Sequence, residues 1–236
     1  MAKLEHYMEL SDAERDHLAR LEEVERDYRR REVLTERDDA MADIMVVKSG
    51  WVYGSSANPD GSEFVAELYL PGDFIGINQI GFFRSPLTYA AATDAVCCPF
   101  PKVLMAGMMK AHPRLVALIF SIASIEHSET IDRMRAIGRM GAREALAIFL
   151  LQMLSRLRIT AGRADGSSFD MPLSQEMIGN MVGLSMVSVN RAFRQLEDEG
   201  HIRRDGRRIE VLAPKRLGEE VDFMDRHQSI DTSWFP

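Results

Sequence analysis

Cysteine and long apolar runs are scarce in this chain of 236 residues, and histidine is absent from a long stretch of it; each of these features argues against a class of protein. The two cysteines, Cys97 and Cys98, are adjacent, so they cannot form a disulfide framework or supply the spaced ligands of a structural zinc site. The apolar stretch 145–151 is far shorter than the roughly 18 residues of a membrane span. The first six residues lack the apolar run of a secretory signal. We therefore expect a cytoplasmic protein with no membrane partner.

The stretch without histidine argues against one class of enzyme. A metal-dependent enzyme on a cupin-like barrel needs several histidine ligands on its strands. No histidine occurs between His17 and His112, which is where the strands are predicted. The chain also shows no nucleophile–base pair and no phosphate-binding glycine loop.

Charge is unevenly distributed along the chain. The formal net charge is −7, yet residues 141–216 carry twelve Lys and Arg against nine Asp and Glu, a local balance of +3. The remainder therefore carries −10. An acidic body with a mildly basic C-terminal module permits nucleic-acid binding by that module.

Hydrophobic periodicity changes twice. Ser11 with Glu14 predicts a capped helix near the start, and from Ile44 to Phe100 short β-like runs alternate with turn sequences such as Asn58-Pro59-Asp60-Gly61. That pattern predicts a small β-barrel or roll.

After His112-Pro113 the pattern becomes helical for about two dozen residues. This helix could lie on the roll or pair with its copy in a second subunit. Its length and charged opposite flank favour a subunit seam. The predicted seam residues are Leu115, Leu118, Ile119, Ile122 and Ile125, followed by Ile131 and Met134 on the same broad face. Gly138 and Gly141 then predict a hinge before a second apolar helix.

The most informative segment is MPLSQEMIGNMVGLSMVSVNRAFRQLEDEGHI, residues 171–202. Its apolar spacing packs two short helices against each other, with Gly179 at their crossing and Gly183 in a turn that needs positive φ. Ser174 and Ser185 can cap the two helices, which leaves both N-termini able to present backbone N–H groups to phosphate. This pattern predicts a helix-turn-helix.

Arginines cluster after the second helix. Asp205-Gly206 between short strands predicts a hairpin with Arg203, Arg204, Arg207 and Arg208 at its tip. The alternative is a packed helical hairpin with a solvated basic face, but glycine position, apolar spacing and basic hairpin all agree with DNA binding.

The second helix would enter the major groove of double-stranded DNA. Arg191 could pair with guanine and Asn190 with adenine, whereas Arg194 and the hairpin arginines would hold phosphates. Met186 and Val187 could touch only methyl groups. The outward positions are Met186, Val187, Ser188, Asn190, Arg191 and Arg194.

In this order of elements the chain resembles the cyclic-AMP receptor protein and fumarate-nitrate reduction regulator (CRP/FNR) family of bacterial transcription factors. Besides the helix-turn-helix, the resemblance rests on SGWVYGSSANPDGSEFVAELYLPGDFIG (49–76) and MGAREALAIFLLQML (140–154). It implies an α+β fold and a homodimer with paired long helices, two recognition helices in successive major grooves, and RNA polymerase as a partner. The expected domains are a cyclic-nucleotide-binding-like β-roll (1–110), a dimerisation helix and hinge (111–138), a winged helix-turn-helix (139–215) and a tail (216–236).

Departures from the family concern the effector. Members that bind cyclic nucleotides carry a glutamate after the PGDxxG turn and an Arg-Ser/Thr-Ala step for the phosphate. Here Ile77, Asn78 and Gln79 follow Gly76, and Arg84-Ser85 precedes proline. We therefore expect no cyclic-nucleotide binding and name no cofactor, so the effector stays unknown; a cyclic-nucleotide-responsive regulator and a passive roll are the alternatives.

Other cofactors find little support. Iron–sulfur members use several cysteines, most of them near the N-terminus, and none precedes Cys97 here. Haem ligation by His6, His17, His112 or His127 is a disfavoured alternative. Because strand neighbours face opposite sides, we expect one cysteine in the core and the other exposed, with redox sensing as the weaker interpretation. Met186-Val187 stands where many members have Arg-Glu or Val-Glu, which predicts a different target sequence.

Overall fold

The computed structural model describes residues 2–160, 166–228 and 230–236. They form two compact units: residues 2–124 with 230–236, and the described residues from 125 to 228.

The first unit contains a β-roll and its covering helices. The elements are α1 (Ala2–Glu5), α2 (Asp12–Leu21), β1 (Arg26–Tyr28), β2 (Val33–Thr35), β3 (Asp43–Ser49), β4 (Val52–Ala57), β5 (Glu63–Tyr69), β6 (Phe74–Ile75), β7 (Thr88–Ala91), β8 (Ala95–Pro101), α3 (Leu104–Ala111) and the first part of α4 (Pro113–Arg139). The strands form two four-stranded antiparallel sheets, of order β1-β8-β3-β6 and β2-β7-β4-β5. The predicted roll of turn-separated strands is therefore confirmed.

The sheet that contains β3 and β8 is buried on both faces. Val46 and Cys98 belong to a core shared with the helices, whereas Val47 and Cys97 belong to a second core with residues of β4, β5 and β7. The expectation that one cysteine is exposed is therefore wrong, because each face of this sheet has its own core. Burial raises the pKa of the Cys97 thiol to about 12, so the group is protonated and unreactive at neutral pH.

The first part of α4 completes the helical core of the roll. Leu115 and Leu118 are fully buried there, and Ile119 and Ile122 nearly so. Ile125 is also buried. The prediction that these five residues form a subunit seam is wrong, because they are covered within a single chain and present no surface to a partner.

A different face of α4 is exposed. Six exposed residues on this face follow one another at intervals of four, three, four, three and four positions. This spacing places them on one stripe, of the kind through which two helices pair. The predicted seam contained only two of them, Ile131 and Met134. The stripe consists of Phe120, Ser124, His127, Ile131, Met134 and Gly138, and is called the exposed heptad stripe below.

The unit boundary lies between Ser124 and Ile125, within α4. This differs from the predicted division at 110 and 138, because the start of α4 packs with the roll. Within the described residues, no single helix is long and apolar enough to cross a membrane; α3 and α4 would suffice only together, and they are bent by 116°.

The second unit is built around the buried helix α5, whose residues 145–154 are all buried. α7 packs on α5, and a three-stranded sheet of order β10-β11-β9 lies alongside. Besides the rest of α4, its elements are α5 (Ala142–Thr160), β9 (Ser168–Asp170), α6 (Gln175–Val182), α7 (Met186–Asp198), β10 (Ile202–Asp205), β11 (Arg208–Val211), α8 (Pro214–Glu220) and a 3-10 turn (Arg226–Gln228).

The segment after α8 folds back onto the second half of α4. The Arg226 guanidinium donates to both carboxylate oxygens of Asp132, at 2.9 and 3.1 Å. His227 Nε2 lies 3.2 Å from Glu129 Oε1, with both side chains buried. Burial opposes ionisation of Glu129, but the hydrogen bond with His227 and the nearby Arg156 outweigh it and lower the pKa of that carboxyl.

Candidate nucleic-acid interface

Side-chain caps and two glycines shape the α6–α7 pair. Ser174 Oγ accepts from the N–H of Met177, and Ser185 Oγ accepts from the N–H of Ser188, both at 3.2 Å. Both predicted caps are therefore confirmed. Gly183 has a φ of 69°, and a Cβ on Gly179 would lie only 2.4 Å from the carbonyl oxygen of Leu184. The glycines thus permit the tight turn and the close crossing of the two helices.

α7 has a buried face and an exposed face. Val189, Ala192, Phe193 and Leu196 are buried against the rest of the unit. The exposed face carries Met186, Val187, Arg191 and Arg194. The structure therefore brings these four predicted site residues together on one outward surface.

Two other predicted positions contribute to the fold instead. Asn190 is half-buried, and its Nδ2 donates to Gln175 Oε1 on α6 at 3.2 Å. Ser188 is also half-buried, and its hydroxyl lies 3.0 Å from that of Ser185. The expectation that Asn190 reads adenine is revised, because its amide links the two helices. Sequence reasoning missed Gln175, whose only signal is its place just after the Ser174 cap.

The β10–β11 hairpin, called the wing below, turns at Gly206 and Arg207, one residue later than Asp205-Gly206 predicts. Arg203 is 70% exposed and lies 3.2 Å from Glu210. Arg207 is exposed, and Arg208 donates to Ser168 Oγ at 2.7 Å. These three arginines lie at or near the exposed end of the wing.

Arg204 does not lie with them. Its Nη2 donates to Glu197 Oε2 at 2.5 Å, and its guanidinium lies 4.5 Å from the centre of the Phe193 ring. The hydrogen bond from Arg204 lowers the pKa of the Glu197 carboxyl. The prediction that Arg204 holds phosphate is wrong, because alternation along β10 turns this side chain inward against α7.

A second ion-pair cluster, which sequence reasoning missed, links three helices of this unit. Arg143 on α5 bonds to both Glu199 and Glu220 at 2.7 Å, and His201 Nε2 lies 3.1 Å from Glu220. Because these residues are far apart in the sequence, no local pattern predicts that they form ion pairs. The cluster fixes the C-terminal end of α7 against α5 and α8, and so positions the exposed face.

The roll contains a cavity of about 200 Å³ that reaches Gly76 and Ser85. Its lining includes two carboxylates, Asp39 and Asp43, and one guanidinium, Arg26, so acidic groups outnumber basic ones around the cavity. The Ser85 hydroxyl donates to the Leu87 carbonyl at 2.6 Å. The group that would bind a cyclic phosphate in the family is thus occupied within its own loop.

The neighbouring arginine links two loops. Arg84 Nη1 donates to the carbonyl of Asp38 at 2.6 Å, which joins the loop before β7 to the loop between β2 and β3. Across the described part of the chain, no cluster of three or more His, Cys, Asp or Glu side chains is suited to a metal ion. His17 and His112 are adjacent, with ring centres 4.9 Å apart, but among the residues that the structure describes no third His, Cys, Asp or Glu completes a metal site with them.

Two family models match the chain. Residues 25–112 match the cyclic nucleotide-binding domain, and residues 144–220 match the Crp-like helix-turn-helix domain. Among curated proteins, the nitrogen fixation regulation protein FixK of Bradyrhizobium diazoefficiens is 33% identical over 159 residues, covering 67% of this chain and 65% of that protein. The transcriptional activator protein FnrA of Stutzerimonas stutzeri is 24% identical over 174 residues, covering 74% and 70%. The chain thus spans about two thirds of the length of these relatives.

Solved structures agree with this assignment. The structure of FixK2 from Bradyrhizobium japonicum superposes with a TM-score of 0.73 at 25% identity, covering 83% of this chain and 96% of that one. The two matched domains occur in the order that the fold shows, with α4 between them. The chain therefore belongs to the CRP/FNR family of transcription regulators, with a cyclic-nucleotide-binding-type β-roll followed by a Crp-like helix-turn-helix.

Proposed function

We propose that the protein is a transcription regulator that binds an inverted-repeat promoter site as a homodimer. The observation that carries this proposal is that Arg191 and Arg194 are exposed on α7, and that the wing, whose strand β10 contacts α7, carries further exposed arginines. An α-helix fits the major groove of B-DNA, and flanking arginines neutralise the phosphates beside it.

The arginines have two different roles in this proposal. Arg191, in the second turn of α7, reaches the base edges and pairs with the O6 and N7 atoms of guanine. Arg194, Arg203, Arg207 and Arg208 bind phosphates. Arg204 has a structural role through Glu197, as described above.

The dimer forms through the exposed heptad stripe of α4. Phe120, Ile131 and Met134 are 65%, 52% and 67% exposed in a single chain, which is unfavourable for apolar side chains unless a partner covers them. Their spacing suits a parallel helix pair. A two-fold dimer places its two α7 helices about one DNA turn, or roughly 34 Å, apart.

The roll acts through an effector other than a cyclic nucleotide or as a surface for protein contacts. Arg84 and Ser85 each donate to a backbone carbonyl of the roll, which supports this view. RNA polymerase is the expected protein partner, since FnrA is named a transcriptional activator. Because its target is chromosomal DNA, the protein acts in the cytoplasm.

Binding-site selection from random duplexes tests the proposal. The expected result is an inverted repeat whose half-site centres are separated by about 10 base pairs. Selection of no motif, or of a motif without two-fold symmetry, would refute it.

A further inference from the structure

The first turn of α7 presents an adjacent apolar pair on the face that also carries Arg191. Met186 and Val187 are 57% and 64% exposed. They lie at the N-terminal end of the helix, the end that contacts base edges when a helix-turn-helix docks in the major groove. An apolar surface at this position needs an apolar group on the DNA.

The polar side chains beside this pair, from the cap residue Ser185 to Asn190, make hydrogen bonds within the fold. The hydroxyls of Ser185 and Ser188 lie 3.0 Å apart, and the Asn190 amide donates to Gln175 at 3.2 Å. What the turn offers outward is therefore the thioether of Met186 and the methyl groups of Val187.

The chemistry of the four bases leaves one apolar group in the major groove that these two side chains can contact. In the major groove adenine, guanine and cytosine offer hydrogen-bonding groups, whereas thymine adds the apolar C5-methyl group. Contact with a cytosine amino group needs an acceptor such as a carboxylate, and the first carboxylate of α7 is Glu197, whose side chain pairs with Arg204.

We propose that Met186 and Val187 recognise the C5-methyl group of a thymine in each half-site. This inference rests on the proposed DNA-binding function. Val187 precedes Arg191 by four residues, or about 6 Å along the helix axis, so the thymine lies one or two base pairs from the pair that Arg191 reads.

Uracil substitution tests the inference, since it removes only the C5-methyl group. In the selected site, each thymine is replaced in turn by uracil, and affinity is measured for the wild-type protein and for M186A/V187A. The expected result is one thymine position per half-site where uracil weakens wild-type binding about fourfold, the value for burying one methyl group. The double variant should bind thymine and uracil sites equally.

Arg194→Ala is the matched control, because this exposed residue lies two turns further along the same helix. It should weaken binding to both sites and keep the thymine-to-uracil ratio. The inference is overturned if no uracil substitution weakens binding, or if the double variant retains the wild-type ratio. Failure to select any inverted repeat would instead refute the proposed function itself.

Discussion

At the scale of single residues, Arg191 and Arg194 offer a direct comparison between base reading and phosphate binding. Both are exposed on α7, three residues apart. We expect Arg191→Ala to cost about 1–3 kcal/mol on the selected site and to relax preference at one base pair. Arg194→Ala should weaken binding to all duplexes alike and lower the salt slope by about one unit. Site selection with both variants at several salt concentrations checks this; an unchanged motif for Arg191→Ala would contradict it.

A second residue-scale prediction concerns pH. Burial, with help from His112 and Arg20, lowers the pKa of His17 in the folded protein. In the unfolded chain the pKa of His17 is about 6.5, so His17 takes up a proton more readily there than in the folded protein. The stability that neutral His17 contributes is therefore fully present above the pKa of the unfolded state and declines as the pH falls below that value. Urea denaturation between pH 8 and 5 should show this loss.

His17→Gln is the matched variant for that measurement. Glutamine keeps polarity and approximate size but does not titrate, so its unfolding free energy should vary less with pH than that of wild type. Equal pH dependence in the two proteins would show that other groups cause the effect.

At the scale of elements, local patterns predicted α6 and α7 well and misidentified the partner of α4. Caps and turns depend on residues a few positions apart, so Ser174, Ser185 and Gly183 were identifiable from sequence. An apolar stripe predicts that one face of a helix is buried, but it does not identify the surface that buries it. For Leu115 to Ile122 the cover is the roll.

Inward-facing polar residues were equally hard to predict. Arg204 and Asn190 both look like DNA ligands in sequence, because their partners Glu197 and Gln175 are recognisable only once the elements pack. Four neighbouring arginines on a hairpin alternate between faces, and the sequence alone does not say which arginine meets an acid on α7.

The corrected stripe gives a prediction for α4. Met134→Glu places a charge on the exposed heptad stripe, where two copies would repel each other across the dimer axis. We expect monomers by light scattering with an unchanged circular dichroism spectrum, since Met134 is 67% exposed in one chain. A folded Met134→Glu variant that remains dimeric would show that the stripe is not the seam.

Ile122→Glu provides the contrast. Ile122 is buried in the helical core of the roll, so a charge there should destabilise the first unit by several kcal/mol, as burial of an unpaired charge does. Comparison of the two variants thus distinguishes residues that form the dimer interface from residues that stabilise the fold of a single chain.

At the scale of the whole molecule, the hydrogen bonds of Arg84 and Ser85 within the roll predict the response to cyclic nucleotides. The Ser85 hydroxyl would have to leave the Leu87 carbonyl, and Arg84 Nη1 the Asp38 carbonyl, before these donors could bind a cyclic phosphate. We expect titration calorimetry with cyclic AMP and cyclic GMP to show no binding in the micromolar range. Heat release that saturates at micromolar ligand would contradict this.

The C-terminal segment contributes to both units, and truncations can separate the two contributions. Residues 222–228 hold the second half of α4 through Arg226–Asp132 and the buried His227–Glu129 pair, whereas Ile230 and Phe235 pack on the helical core of the first unit. Removing 229–236 should destabilise only the first unit, by about 1–3 kcal/mol for two partly buried apolar side chains. Removing 222–236 should also leave Glu129 buried without His227 and expose the end of α4.

The positions of the tryptophans allow the stability of the first unit to be measured after each truncation. The chain has two tryptophans, Trp51 and Trp234, so after either truncation Trp51 alone reports on the roll during urea unfolding. Hydrogen exchange along residues 126–139 reports on α4. We expect faster exchange there only in the longer truncation, because only that variant loses the ion pairs to Asp132 and Glu129. Equal exchange in the two truncated proteins would show that residues 222–228 do not brace α4.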